Sequence, residues 1–232
     1  GRQVNEFIEE QGLGYQVALI ASHGHTTFHL PPQMTGQLGC GAAIAAETGL
    51  PVVSELRAMD LAYGGQGAPI VPMGEKLLMD EYTYFLNIGG IANISRNTGS
   101  GYLAFDVCPA NRVLNMLAAE AGKEYDAGGS MAAAGTIDQA LLARLNGLPY
   151  YDQPYPKSLA NDFGTDTVYP LIKSAGQPSS GFKADAVHHA LRTMVEHIAQ
   201  QVRRSLVMML SASGETAAGG ARMLVTGGGA FN

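Results

Sequence analysis

The hydrophobic positions of the chain fall into short continuous runs, which predict buried strands, and one long stripe, which predicts a helix. Five runs are typical of strands, the third as two strands joined by a Gly-Gly turn: 15–22, 51–56, 82–96, 101–107 and 223–226. The stripe has helical spacing over 184–210 and consists of Val187, Leu191, Met194, Ile198, Val202 and Leu206. Shorter helices are predicted over 40–48, 110–122 and the second half of 130–147, with a long loop or subdomain connection over 148–183. Alternating strands and helices indicate the α/β class, and the paired strands at 82–107 make part of the sheet antiparallel.

The composition argues against several classes of protein. With 232 residues, 46% of them hydrophobic, the chain can bury a core in one large or two small domains. A formal net charge of −6 and the lack of any Lys/Arg run argue against nucleic-acid binding. The sequence contains no run of about 18 apolar residues, which argues against a membrane-spanning helix. The two cysteines, Cys40 and Cys108, give no disulfide framework, so we expect a reducing, cytoplasmic compartment.

Glycine clusters follow two of the predicted strands, in "NIGG" (87–90) and "TGGGAFN" (226–232). Such loops let backbone N–H groups approach a phosphate or ribose, and they also serve as plain tight turns, so the sequence leaves both interpretations open. Neither is a Walker A loop, because the chain contains no "GK[ST]". A third cluster, "AYGGQGAP" (62–69), follows Arg57 and Asp60; it brings charge and flexible backbone together, or it is a surface loop with a solvated ion pair.

The histidines offer a weaker signal. His23, His25 and His29 lie within seven residues, but they lack partner ligands at a known metal spacing. We therefore favour a polar loop at the carboxyl end of the 15–22 strand, where His23 could hydrogen-bond a polar substrate. The remaining three histidines are predicted at the surface or at the edge of the long helix: His188, His189 and His197.

Asp106, in "AFDVCPANRVLN" (104–115), lies where an apolar strand gives way to a helix. A carboxylate at the end of a strand can accept a proton as a general base. Aspartate is also favoured as the N-cap of a following helix. The local sequence leaves both roles open.

Seven segments, taken in order, make nearly the whole chain similar to the anhydro-N-acetylmuramic acid kinases: "SHGHT" (22–26), "AAETGLPVV" (45–53), "DLAYGGQGAPIVP" (60–72), "NIGGIANIS" (87–95), "FDVCPAN" (105–111), "PKS" (156–158) and "TGGGAFN" (226–232). The resemblance implies the two-lobed α/β fold of the sugar kinase, Hsp70 and actin superfamily, with ATP in the cleft. We expect residues 1–96 to belong to the first lobe and 97–232 to the second. The implied reaction uses ATP, Mg²⁺ and water to open 1,6-anhydro-N-acetylmuramic acid and to phosphorylate its 6-oxygen, in bacterial cell-wall recycling.

The resemblance also implies roles for individual residues. Asp106 matches the catalytic base of the family. The expected nucleotide-binding residues are Asn87, Gly89, Gly90, Gly227, Gly228 and Gly229. The expected substrate-side residues are His23, Arg57, Asp60, Gln66 and Asn111. No nucleic-acid or membrane partner is expected, and the helix over 184–210 serves either a homodimer interface or core packing.

The chain departs from the family pattern at several points. Cys108 and Ala110 replace two glycines of the catalytic motif, and "KSLAND" (157–162) replaces "KSTGRE". We therefore expect that the sugar could differ from that of the family. The glycine-rich phosphate loop near the family's N-terminus and the part after "GGGAFN" are missing, so the sequence looks like an excerpt. We expect that these 232 residues alone do not transfer phosphate at a useful rate.

Three alternatives remain open at this stage. One is a kinase for a different amino or anhydro sugar. Another is a non-catalytic, nucleotide-binding Hsp70-like protein, although no peptide-binding domain is recognisable. The third is a zinc hydrolase built on the histidine cluster.

Overall fold

The computed structural model describes residues 1–30, 33–64, 67, 70–97, 101–160, 162–176, 184–213 and 220–231. The chain forms two compact units, unit 1 (Gly1–Gly74) and unit 2 (Glu75–Asn232). The buried apolar side chains among the described residues all belong to unit 2. The α/β class predicted from the sequence is confirmed.

Unit 1 is built from short elements. Its helices are α1 (Arg2–Glu10), α2 (Gly41–Thr48) and α3 (Leu56–Ala62), and α4 (Val71–Leu78) contains the boundary between the units. One pair of strands is parallel, β1 (Ile20–Ala21) with β4 (Val52–Val53). The other pair is antiparallel, β2 (His25–Leu30) with β3 (Met34–Leu38).

The strand predicted over 15–22 is wrong for most of its length. Only Ile20 and Ala21 are extended and paired, and their partner β4 is equally short. The apolar run is not buried, since Tyr15 is fully exposed and the Leu19 side chain is about half exposed. A strand needs neighbouring backbone and a covered face, and the described part of unit 1 supplies little of either. The polar loop expected after this strand instead becomes β2 from His25 onward.

Unit 2 is centred on a four-stranded sheet. Its strands are β5 (Tyr84–Ile88), β6 (Ile91–Asn97), β7 (Tyr102–Pro109) and β8 (Met223–Thr226), in the order β7-β6-β5-β8. β6 pairs antiparallel with both β5 and β7, while β5 and β8 are parallel. The predicted Gly-Gly hairpin is confirmed. The sheet continues across the expected lobe boundary at residues 96 and 97, and the division of the protein into lobes stays a prediction.

A helical layer covers this sheet. It consists of α5 (Asn111–Glu120), α6 (Ser130–Ala133), α7 (Gln139–Asn146), α8 (Tyr169–Gly176) and α9 (Ala184–Ser213). α9 packs on the other four helices and on β6 and β7. Its apolar stripe packs in the core of unit 2, with Val187, Leu191 and Met194 completely inaccessible and Val202 and Leu206 partly buried. Core packing therefore accounts for the stripe. None of the helices in the described ranges is both long and apolar enough to cross a membrane.

The segment 148–183 contains more helix than predicted. Residues Pro149–Asp152 form a 3₁₀ turn, Phe163–Val168 a π-helical turn that leads into α8, and residues 153–160 run without regular structure between them. The 3₁₀ turn is stabilised because Tyr150 and Tyr151 bury their rings in the core. A segment rich in Pro, Gly and Tyr conceals this in the sequence, since none of these residues favours helix.

The prediction that His197 lies at the surface is wrong. Its side chain is completely buried between α7 and the 3₁₀ turn. Both ring nitrogens have partners there, Nδ1 at 2.7 Å from Asn146 Oδ1 and Nε2 at 2.8 Å from Tyr151 Oη. The interior accepts an imidazole only with such pairing. His188 and His189 are partly exposed.

Candidate active site

Three loops of unit 2 meet at one edge of the sheet. β5, β7 and β8 run in the same direction, so their carboxyl ends lie at the same edge. There, residues 89–90 follow β5, residues 110–111 follow β7 and residues 227–231 follow β8. This edge, which we call the glycine edge, brings together seven of the residues predicted from the sequence: Asn87, Gly89, Gly90, Asn111, Gly227, Gly228 and Gly229.

Hydrogen bonds from the start of α5 hold the first loop of the glycine edge. The backbone N–H of Asn111 donates to the carbonyl oxygen of Gly89 at 3.0 Å, and that of Ala110 donates to Gly90 O at 2.9 Å. The Asn111 side-chain Nδ2 donates to Ile88 O at 2.9 Å. Asn111, predicted on the substrate side, therefore has a defined structural role in joining α5 to the hairpin.

The glycines of the two loops are required for different reasons. Gly227 has φ of +84°, and an added Cβ would lie 2.5 Å from Asn87 Oδ1. A Cβ on Gly229 would lie 2.2 Å from Ile88 Cγ2. The packing of the chain itself therefore demands glycine at both positions. A Cβ on Gly89 or Gly90 would find its nearest neighbour at 3.5 Å or 3.9 Å, and neither residue has a positive φ. An added Cβ at Gly89 or Gly90 would therefore make only ordinary contacts, so the packing of the chain itself does not demand glycine at these two positions.

Asp106 lies within β7, three residues before the end of the strand. It pairs with Asn93, while Cys108 pairs with Ala92, so Val107 is an extra residue that forms a bulge. Bulges change the direction of neighbouring side chains and are frequent beside active sites. Phe105 and Val107 are buried and Asp106 is partly exposed. The residue at the N-cap of α5 is Ala110, so the capping role considered for Asp106 is wrong.

The Asp106 carboxyl group is held by one hydrogen bond in a partly dry setting. Its Oδ2 accepts from the backbone N–H of Leu159 at 2.8 Å. Burial raises the pKa of Asp106, and the Leu159 N–H partly opposes this by stabilising the charged form. The other carboxyl oxygen has no protein donor among the hydrogen bonds of the described residues. A carboxylate with a raised pKa and a free oxygen is suited to accept a proton.

Three residues around Asp106 were not singled out from the sequence. Leu159 and Lys157 belong to the segment that contains "PKS", and the Lys157 carbonyl oxygen accepts from the Asp106 backbone N–H at 3.0 Å. Tyr150 Oη donates to the Asp106 carbonyl oxygen at 2.6 Å. The "PKS" motif signalled the importance of the segment without giving a role. No local pattern could have identified Tyr150, because the contact spans 44 residues.

The two positions where family glycines are replaced do not line the open edge. The Cys108 and Ala110 side chains are completely buried in the core of unit 2. Burial raises the pKa of the Cys108 thiol, so it stays protonated and unreactive. The two side chains therefore fill the core, and the expectation that the sugar could differ from that of the family stays a prediction.

The predicted substrate-side residues of unit 1 form a cluster of their own. Arg57 donates through Nε to His23 Nε2 at 3.0 Å and through Nη1 to the carbonyl oxygen of Gly67 at 3.0 Å. Asp60 Oδ2 accepts from the Gly67 backbone N–H at 2.7 Å. The two charges therefore hold buried Gly67 from both sides, and they do not form the simple ion pair considered above. Gln66 lies outside the described residues.

The same unit contains the histidine segment considered for zinc. Within the described ranges, no three His, Cys, Asp or Glu side chains lie close enough together to hold a metal ion. The His23 ring is committed to other partners, because its Nδ1 lies 2.9 Å from Gly24 O and its Nε2 accepts from Arg57.

Comparison with known proteins points to one family. The model of the anhydro-N-acetylmuramic acid kinase family matches residues 1–232. The chain is 41% identical to the anhydro-N-acetylmuramic acid kinase of Methylobacterium nodulans over 81% of its own length and 53% of that protein. It is 40% identical to the same enzyme of Rhizorhabdus wittichii over 83% of the chain and 54% of the relative. For the enzyme of Shewanella amazonensis the identity is 35%, over 100% of the chain and 62% of the relative.

The chain thus spans between 53% and 62% of the length of these curated relatives. Its mixed α/β structure, with sheets flanked by helices, is consistent with the sugar kinase and actin-like ATPase fold expected from the sequence. Because the family model matches the whole chain and the relatives agree with it, the chain belongs to the anhydro-N-acetylmuramic acid kinase family.

Proposed function

We propose that this protein is an ATP-dependent kinase that opens 1,6-anhydro-N-acetylmuramic acid with water and phosphorylates its 6-oxygen. The product is N-acetylmuramic acid 6-phosphate, and the role is recycling of the bacterial cell wall in the cytoplasm. The observation that carries the proposal is Asp106, whose partly buried carboxyl group has a raised pKa and lies on the strand that leads into the glycine edge. Family membership supplies the substrate.

In this proposal Asp106 is the catalytic base. One carboxylate oxygen takes a proton from a water molecule as the water oxygen bonds to the anomeric carbon of the sugar. The bond between that carbon and the 6-oxygen breaks, and its electron pair stays on the 6-oxygen, which then accepts the phosphoryl group. The Leu159 N–H on Oδ2 orients the carboxylate, so that the other oxygen is available to the water.

The glycine edge is the proposed nucleotide site. ATP supplies the phosphoryl group, and the hairpin at Gly89 and Gly90, where an added Cβ would meet nothing closer than 3.5 Å, is the proposed contact for its phosphates. Asn87 and the loop Gly227–Gly229 are the proposed contacts for the rest of the nucleotide. Mg²⁺ accompanies ATP in such transfers and is usually bound mostly by phosphate oxygens and water, so we assign it no protein ligand. His23, Arg57, Asp60, Gln66 and Asn111 remain the proposed substrate-side residues.

The test is ADP formation by the intact gene product with ATP and Mg²⁺, with and without 1,6-anhydro-N-acetylmuramic acid. We expect ADP formation that depends on the sugar. Asp106→Asn should lower it by roughly 10²- to 10⁴-fold, the usual contribution of a general base. The asparagine oxygen can still accept the Leu159 N–H, so the fold is preserved. Asp166→Asn is the matched control, because that carboxylate is exposed and bonded to Thr165.

Three other outcomes would contradict the proposal in different ways. ADP formation with another anhydro or amino sugar, but not with this one, would indicate a different substrate. ATP hydrolysis that ignores every sugar would favour a nucleotide-binding protein of the Hsp70 type. Full activity of Asp106→Asn would remove the base assignment while leaving the reaction in place.

A further inference from the structure

One segment of unit 2 runs beside β7 on the side that β6 does not occupy. We call residues 155–159 the strap. Tyr155 stacks on Phe105 with ring centroids 5.3 Å apart and planes 17° from parallel. The strap then accepts the Asp106 backbone N–H at the Lys157 carbonyl oxygen and donates the Leu159 N–H to Asp106 Oδ2. The position of the carboxylate therefore depends on the position of the strap.

The Lys157 side chain ties the strap to the 3₁₀ turn. Its ammonium group donates to the carbonyl oxygens of Tyr150 at 3.0 Å and of Tyr151 at 3.3 Å. It also lies 4.5 Å from the centroid of the Tyr150 ring, a distance at which a cation and an aromatic face attract. Tyr150 in turn donates its hydroxyl hydrogen to the Asp106 carbonyl oxygen. Asp106, the strap, Lys157 and Tyr150 thus form a closed circuit of contacts.

Placing the Lys157 ammonium group in a partly buried position is energetically unfavourable, which argues that the contacts it makes there have a role. Burial lowers the pKa of Lys157, and the nearby Arg204 charge lowers it further, while the Asp152 charge partly opposes the shift. A surface lysine avoids both effects by extending into water. The Lys157 ammonium group instead donates hydrogen bonds to two neutral carbonyl oxygens of the 3₁₀ turn that contains Tyr150.

We propose that Lys157 is a positioning residue that holds the strap against the 3₁₀ turn and so keeps the Leu159 N–H on the Asp106 carboxylate. Its effect on catalysis rests on the proposed function, whereas its effect on the Leu159 amide does not. Without Lys157 the strap moves more freely and the Leu159 bond is weakened. Because that bond favours the charged form of Asp106, its loss raises the pKa of the carboxyl group.

The experiment compares Lys157→Met with Lys157→Arg and with the control Lys173→Met. Lys173 also lies over a tyrosine ring, that of Tyr169, and bonds Glu120, but it does not touch the strap. In the intact enzyme, Lys157→Met should move the acid limb of the kcat/KM profile to higher pH by about one unit, the usual effect of one hydrogen bond to a carboxylate. It should also lower kcat about tenfold with little change in KM. Lys157→Arg should restore part of both, and Lys173→Met should change neither.

A second measurement does not need activity. Amide hydrogen exchange followed by NMR should show faster exchange at Leu159 in Lys157→Met, and not in Lys173→Met. If Lys157→Met fails to fold, Tyr150→Phe breaks the same circuit at the Asp106 carbonyl oxygen and should shift the acid limb in the same direction. An unchanged Leu159 exchange rate, or an unmoved acid limb in an active enzyme, would overturn the inference. If ATP hydrolysis by the wild type does not depend on the sugar, while Leu159 exchanges faster in Lys157→Met, only the proposed function would be overturned.

Discussion

Unit 2 contains two groups of polar residues, which differ in whether other parts of the protein supply partners for their hydrogen-bonding groups. The buried cluster consists of Tyr151 of the 3₁₀ turn, His197 and Gln201 of α9, and the partly exposed Asn146 of α7, and hydrogen bonds join the four residues to one another. Asn146 Oδ1 accepts from Gln201, so the His197 Nδ1–H is also a donor to it and Nε2 accepts from Tyr151. At the glycine edge and on β7, by contrast, an added Cβ on Gly89 or Gly90 would meet nothing closer than 3.5 Å, and one Asp106 oxygen has no protein donor among the described residues.

The difference shows why a concentration of polar residues does not by itself indicate function. The buried cluster has the residue types of an active site, yet its hydrogen bonds hold α7, α9 and the 3₁₀ turn together. The glycine edge has few side chains, and Asp106, on the strand that leads into it, has one carboxyl oxygen without a protein donor among the described residues. Substitutions in the cluster should therefore cost stability and spare nucleotide binding, and substitutions at Gly89 or Gly90 should do the reverse.

The largest effect should come from Asn146→Ala. This change leaves His197 Nδ1, Gln201 Nε2 and Gln200 Oε1 without their shared partner. Unpaired buried polar groups cost about 1–3 kcal/mol each, partly relieved by water, so we expect a loss of about 3 kcal/mol in the free energy of unfolding. Urea unfolding measures it. Asn115→Ala, at an exposed position of α5, should change the same quantity by less than about 0.5 kcal/mol. A comparable loss in both variants would show that the cluster has no special role.

The cluster should also make stability depend on pH. Burial lowers the pKa of His197 from 6.5 to about 4, and its partners Tyr151 and Asn146 carry no charge in this range. Below pH 6.5 the His197 imidazole binds a proton in the unfolded chain, whereas in the folded chain it stays neutral down to about pH 4. Stability therefore falls as the pH falls through this window, by about 3 kcal/mol in total. Urea unfolding at several pH values checks this against His197→Gln, which should lack that share of the slope. Equal slopes in the two proteins would contradict it.

The sequence predicted the glycine edge better than it predicted the cluster. Apolar runs and glycine spacing are local features, and they correctly gave β5 to β8, the hairpin and α9. His197, Tyr150 and Lys157 escaped because their partners lie on other elements, 46 residues away for His197 and Tyr151. The strand over 15–22 failed for the same reason, since its apolar residues predict burial without saying which residues cover them. Periodicity reports what a residue type favours, whereas contacts depend on the tertiary structure.

Cys108→Gly sharpens the comparison at a position where the family has glycine. The Cys108 side chain is completely buried on β7, the strand that carries Asp106, so its removal leaves a small cavity and a more flexible backbone. We expect a loss of about 2 kcal/mol in the free energy of unfolding, with about half of it in Cys108→Ala. The ratio of kcat/KM values for 1,6-anhydro-N-acetylmuramic acid and 1,6-anhydro-N-acetylglucosamine should stay the same. A tenfold change in that ratio would show that position 108 reaches the sugar after all.

The smallest changes in free energy are expected for Gly90→Ala, which should weaken ATP binding without lowering stability. A methyl group on Gly90 has its nearest neighbour 3.9 Å away, so the fold tolerates it and gains up to about 1 kcal/mol from a less flexible unfolded chain. The same methyl group occupies the space proposed for a phosphate, so ATP affinity should fall about tenfold, or about 1.4 kcal/mol, by calorimetry. Gly74→Ala is the matched control, because an added Cβ on that glycine has nothing within 4 Å and the residue lies on α4. If both variants bind ATP like the wild type, Gly89 and Gly90 only form a tight turn, and the nucleotide site must be sought elsewhere.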